Sequence, residues 1–161
     1  MNNIKLRTVS IADAHFLYSI MNMDTILNVL NEVPTQLEDW IDAVKAWDKD
    51  DDEEDYMICD RENPVGWIGI NGLSASDKVV YLKLIAILPD YHNKGIGHYA
   101  INEVIEMLKE RNYGKILLYT DEDNVKARSC YRKCGFKITG ALTEKMSNGK
   151  AVARYIMELI L

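Results

Sequence analysis

Apolar positions along the chain alternate between a period of two and a period near 3.6, and the switches divide it into elements. Residues 4–7 (IKLR) read as a first strand. Ser10 with Asp13 has the form of a capping box, which predicts a helix through about Met21. Thr35 with Glu38 repeats that form and predicts a second helix, with Leu37, Ile41, Val44 and Trp47 on one apolar stripe. The acidic run Asp48 to Asp55 then predicts exposed loop, because like charges at that density repel. Tyr56–Cys59 and Val65–Asn71 make a hairpin around Asp60–Pro64, and Val79–Leu88 (VVYLKLIAIL) reads as a buried strand that stops at Pro89. The short connections predict an antiparallel meander.

In the second half the helical period returns over Tyr99–Arg111, where Ile101, Val104, Ile105 and Leu108 share a face. Lys115–Thr120 (KILLYT) reads as a central strand, and Asn124–Cys134 as a helix ending at Gly135. Phe136–Gly140 and Ala151–Leu159 close the chain as two strands around a turn near Asn148-Gly149.

No repeat, linker or low-complexity segment divides the 161 residues, so the whole chain reads as one domain with a single substantial core. A net charge of −6 argues against a nucleic-acid partner, which would call for a basic face. The first ten residues lack the apolar segment of a secretory signal, and no apolar run approaches the ~20 residues of a membrane helix. The expectation is a soluble cytoplasmic protein with no membrane partner. Three cysteines, without metal-ligand clustering, read as reduced thiols, and no metal is expected.

The most informative stretch is the junction Pro89–His98 (PDYHNKGIGH), which joins the apolar strand to a helix through glycines and basic residues. Strand, glycine turn and helix N-terminus in that order leave several backbone N–H groups unpaired, where the helix dipole also favours negative charge. A pyrophosphate would satisfy them. Each glycine has a plainer reading too, Gly95 as a positive-φ position and Gly97 as a point of close packing. The spacing matches neither G-x-x-x-x-G-K-[ST] nor G-x-G-x-x-G, which disfavours nucleotide hydrolysis and dinucleotide redox chemistry.

A second block is Asn124–Phe136 (NVKARSCYRKCGF). Asn124 and Tyr131 lie about two helical turns apart, on one face. An amide and a phenol there can line one ligand. They can equally be an N-cap and a core tyrosine with a satisfied hydroxyl.

Together the two blocks resemble the GCN5-related N-acetyltransferase family, whose patterns are Q/R-x-x-G-x-G/A and N-x-x-A-x-x-x-Y-x-x-x-G-F. Gly95, Gly97, Asn124, Ala127, Tyr131, Gly135 and Phe136 match, while His92 stands where the family has glutamine or arginine. The ending, with the early PTQLEDWI, is similar to the ribosomal-protein and spermidine acetyltransferase branch.

The resemblance implies an α+β, three-layer fold. In it a mixed sheet of about seven strands is flanked by about four helices and splays between strands 4 and 5, here Val79–Leu88 and Lys115–Thr120. It implies acetyl-coenzyme A as cosubstrate. Backbone groups around Ile85, Ile87 and Leu88 would hold the pantetheine arm, and the turn of His92, Asn93, Lys94, Gly95, Ile96, Gly97 and His98 would hold the pyrophosphate. Asn124 would anchor the coenzyme, Tyr131 would return a proton to the departing thiolate, and an N–H near Ile87 or Leu88 would stabilise charge on the thioester oxygen.

The acceptor would be a primary amine, either of a small molecule or of a protein N-terminus. Family architecture turns the segment from Met23 to Pro34 toward it, with Asn28, Asn31 and Glu32 as candidates. The base is unassigned among Glu32, Asp121 and Glu122, because the strand that often supplies a glutamate carries Tyr81 and Lys83. The acidic run can attract a cationic acceptor by its field or be solvated loop. Trp40, Trp47 and Trp67 read as core or interface residues. The final apolar strand is a candidate edge for a homodimer. A non-catalytic coenzyme A-binding regulatory module of the same fold is the alternative function.

Overall fold

The computed structural model describes residues 3–161. One seven-stranded sheet carries the order β1-β2-β3-β4-β5-β7-β6. Its strands are β1 (Ile4–Thr8), β2 (Glu53–Asp60), β3 (Asn63–Asn71), β4 (Val79–Ile87), β5 (Lys115–Asp121), β6 (Lys137–Lys145) and β7 (Ala151–Ile160). Consecutive antiparallel pairing of β1 to β4 matches the short connections between them. β5 joins β4 in parallel, as the α-helical crossover between them requires.

Helices cover both faces. On one side α1 (Ala14–Met21), α2 (Asp24–Leu30) and α3 (Leu37–Trp47) bury Leu17, Ile20, Ile26 and Val44 against Met57, Trp67 and Ala86. On the other, α4 (Ile96–Glu110) and α5 (Val125–Lys133) meet a larger core. There Ile101, Val104 and Leu108 pack on Ile58, Ile68, Ile70, Ile116 and Leu118. Burying each such aliphatic side chain is worth about 1.5–3 kcal/mol.

β4 changes faces part-way along. Gly69 pairs with Leu84 and Ile70 with Leu82, so Lys83 is the extra residue of a β-bulge. Before it Val80 and Leu82 face the α4 side; after it Leu84 and Ala86 face the α1–α3 side.

Four expectations are corrected. Asp24–Leu30 is a fifth helix where loop was expected. The α3 cap falls one residue later, at Gln36, whose N–H donates to Asp39 at 2.8 Å; Thr35 is occupied instead, its N–H bonding Asn22 and its Oγ1 accepting from Trp40. The acidic run is loop only in part, since Glu53, Glu54 and Asp55 open β2 and the Asp55 side chain is 1% exposed. The final strand β7 is no free edge, because β5 and β6 pair on either side of it. No helix is long and apolar enough to cross a membrane among the described residues.

Candidate active site

β4 and β5 pair only over Val79–Lys115, Val80–Ile116 and Tyr81–Leu117. Beyond Tyr81, β4 continues on β3 alone and β5 on β7 alone, so the sheet opens into a cleft. Leu82–Ile85 form one wall and Tyr119–Asp121 the other, with Asn124 and Tyr131 from the α5 side. Val29, Leu30 and Glu32 close it from α2 and the residues after it, and Met146 and Arg154 from the β6–β7 hairpin. Tyr81 and Tyr119 stack across the fork, ring centroids 6.4 Å apart.

The open side of β4 has defined chemistry. The Leu88 N–H donates to Val65 at 2.8 Å, which makes Gly66–Ile87 a non-hydrogen-bonded pair of the β3–β4 ladder. The N–H and C=O of Ile87, and those of Ile85 two residues earlier, therefore turn away from β3 toward the cleft. Leu88 offers no free amide there. The Ile87 carbonyl lies 2.7 Å from His92 Nε2; a carbonyl only accepts, so that nitrogen carries the hydrogen.

The turn after β4 leaves a run of backbone amides free. A 3-10 turn at Pro89–Tyr91 leads to Asn93 at φ 59° and Gly95 at φ 77°, both left-handed, and α4 begins at Ile96. Glycine suits the second of these because a Cβ there is strained. Among the described residues, none of the amides from Asn93 to His98 donates to another backbone group. They lie at the N-terminus, the positive end, of a fifteen-residue helix. Lys94 rests its ammonium 5.2 Å from the Tyr91 ring centre. At Gly97 a Cβ would meet nothing nearer than Ile87 Cδ1 at 3.5 Å, so close packing does not demand a glycine. His98 turns its ring to Asn102 of the same helix.

Asn124 is the N-cap of α5, its Oδ1 accepting from the Ala127 N–H at 3.2 Å. The residue also lines the cleft. Tyr131 packs edge-on against Phe136 at 6.1 Å and lines the same cleft. Burial first, and the neighbouring Cys130 thiol next, push the Tyr131 phenol above its ordinary pKa against the pull of Arg154. It therefore keeps its proton at neutral pH. All three cysteines are free thiols.

Of the acceptor-side candidates, Glu32 lines the cleft, whereas Asn28 is exposed on α2 and outside it. Asn31 is buried at the α2 C-terminus, donating to Asp121 Oδ2 at 2.7 Å. Arg154 binds the other Asp121 oxygen at 3.1 Å, and Glu144 at 2.8 Å. Glu122, beside Asp121, stands outside the cleft lining. Arg154, Met146 and Lys83 line the cleft without any motif that marks them in sequence; their approach depends on strand order and on the bulge, neither of which leaves a local signature.

Residues 16–136 match the model of the acetyltransferase (GNAT) family. The chain belongs to this family. Within the GNAT acetyltransferases it is 29% identical over 103 residues to an uncharacterized N-acetyltransferase of Methanocaldococcus jannaschii, covering 61% of this chain and 46% of that protein. The chain thus spans under half the length of that relative. To spermidine N(1)-acetyltransferase of Escherichia coli K12 it is 25% identical over 146 residues, 88% of this chain and 76% of that one. Spermidine N-acetyltransferase from Vibrio cholerae, solved in complex with CoA and spermine, has the same GNAT fold. It superposes with a TM-score of 0.90 at 22% identity, covering 99% of this chain and 96% of that one.

Proposed function

We propose that the chain transfers an acetyl group from acetyl-coenzyme A to the primary amine of a small molecule, with a polyamine as the first acceptor to test. What carries the reading is the convergence of the amide-lined turn, the outward groups of Ile85 and Ile87, and Tyr131 along one open edge of β4. The E. coli and V. cholerae relatives, named for spermidine, support the choice of acceptor.

Acetyl-coenzyme A supplies the thioester carbonyl that the amine attacks. The amides of Asn93 to His98 bind its pyrophosphate, with Lys94 adding charge. The N–H and C=O of Ile85 and the N–H of Ile87 pair with the pantetheine amides, and Asn124 Nδ2 adds a donor. The Ile87 N–H is the better placed of the two expected donors to the thioester oxygen, since that of Leu88 is spent. Tyr131, protonated and partly buried, returns a proton to the departing sulfur.

Thiol release from acetyl-coenzyme A, measured against polyamines, aminoglycosides and peptides with free N-termini, tests this. Turnover with a polyamine is the expected result. Turnover only with a peptide N-terminus moves the acceptor class, and tight coenzyme binding without turnover supports the non-catalytic alternative.

A further inference from the structure

The acceptor amine is an ammonium at neutral pH and must lose a proton before it can attack, yet the cleft offers few carboxylates. Both Asp121 oxygens are committed, one to Asn31 and one to Arg154. Lys83, the bulge residue of β4, also lines the cleft, and it leads to a carboxylate behind the wall.

Asp55 on β2 pairs with Gly69 on β3, and Gly69 pairs with Leu84 beside Lys83. A Cβ at Gly69 would stand 2.5 Å from Asp55 Oδ1 and 2.7 Å from Lys83 Cε. The missing side chain is thus the notch through which Lys83 crosses β3. Its ammonium lies 3.1 Å from Asp55 Oδ1, bonds Glu53 as well, and sits 4.6 Å and 5.2 Å from the Trp47 and Trp67 ring centres. The Asp55 Oδ2 atom is buried with no hydrogen-bond partner.

We infer that Asp55, acting through Lys83, takes up the proton that the acceptor amine must lose. The inference rests on the acetyl-transfer reading. Lys83 passes one ammonium proton to Asp55 and receives one from the substrate, so that R–NH3+ and the Asp55 carboxylate become R–NH2 and the carboxylic acid. Only N–H and O–H bonds change. The proton returns to solvent by the same route, because the Lys83 side chain is 26% exposed. Among the described residues, Lys83 from β4 and Glu53 from its own strand are the charged groups that act on Asp55, while the indoles of Trp47 on α3 and Trp67 on β3 lie beside the Lys83 ammonium. Burial, opposed by Lys83, pushes the Asp55 carboxyl up to about 7, where it can both accept and release a proton.

The test compares Asp55→Asn, Lys83→Met and Glu53→Gln with the parent in thiol release across the neutral pH range, using an amine the parent acetylates. Asp55→Asn and Lys83→Met are expected to lower kcat/KM for the amine about 100-fold at pH 7 and to erase the inflection near neutrality. Glu53→Gln, which touches the same ammonium, is expected to keep an inflection, moved to lower pH because the Glu53 charge helps raise the Asp55 carboxyl; a purely structural trio would respond to all three changes alike. An Asp55→Asn variant with the parent's inflection and near-parent kcat/KM overturns the inference and leaves acetyl transfer standing. Independently of turnover, the Asp55 carboxyl carbon is expected to titrate near neutrality by NMR in the parent. Titration confined to the ordinary range near 4 also overturns the inference. A parent inert toward every amine refutes the acetyl-transfer reading instead.

Discussion

The side-chain amide of Asn31 donates to Asp121 at 2.7 Å, joining residues 90 positions apart. Asn31 terminates α2 at φ 54°, and Asp121 ends β5, so one bond ties the helical roof of the cleft to its far wall. Asn148 extends the tie, its N–H meeting the Asn31 carbonyl at 3.2 Å and its Nδ2 meeting Oδ1 at 3.3 Å. Asn31→Ala leaves a half-buried carboxylate oxygen of Asp121 without its donor, which costs about 1 kcal/mol. Chemical denaturation is expected to show that loss, and kinetics a rise in KM for the amine with KM for acetyl-coenzyme A little changed. An equal rise in both would remove the bond's link to the acceptor side.

Tyr131→Phe keeps the ring against Phe136 and deletes only the proton donor. Turnover should fall about 100-fold while coenzyme affinity, read by calorimetry, stays within a few-fold. Parent-like turnover in this variant would take the phenol out of the mechanism.

Gly95→Ala puts a Cβ at φ 77°, in the left-handed region that side chains avoid. The strain costs about 1 kcal/mol in stability. As the amide cradle relaxes, coenzyme A binding should weaken by about tenfold or more. Unchanged affinity would mean that the turn is not the phosphate site.

Asp55 gives stability an unusual pH dependence. Its carboxyl binds a proton more tightly folded than unfolded, with burial raising the pKa from an unfolded value near 3.9 to about 7. Between those values the native state holds more protons than the unfolded chain, so this group's contribution to stability declines as pH rises. Relative to the parent, Asp55→Asn should therefore gain stability from pH 4 to 7 and level off above. Urea unfolding at several pH values reads the difference, and a flat difference contradicts the raised pKa. Asp13 behaves oppositely: burial raises its pKa, but the bonds from Arg7 and Ser10 outweigh that and lower it, so its support fades only in acid.

The residues of the proposed donor half were legible in the sequence because their signals are local. Pro89, the left-handed Gly95 and the helical stripe beyond it follow one another in one continuous stretch, and Asn124 caps the short helix that carries Tyr131. The proposed acceptor half is assembled by long-range pairing. α2 has seven residues and no side-chain cap at Met23, so it lacks both length and a start signal. Glu53, Glu54 and Asp55 look like repelling charges in sequence. Their partners come from elsewhere: Lys83 binds Glu53 and Asp55, and Arg111 binds Glu54. Arg154 reaches Asp121 only because β7 slots between β5 and β6.

The extra residue at Lys83 makes β4 a member of two interiors. Its first half seals the layer beneath α4 and its second half the layer beneath α1 to α3. Removing that one residue would rotate every later side chain to the opposite surface. Ile85 and Ile87 would exchange layers with Leu84 and Ala86, and the backbone groups now offered to the cleft would turn back into the ladder with β3. The opening between β4 and β5 is thus written into the count of residues along one strand, so an insertion or deletion there would be felt more deeply than any exchange of side chain.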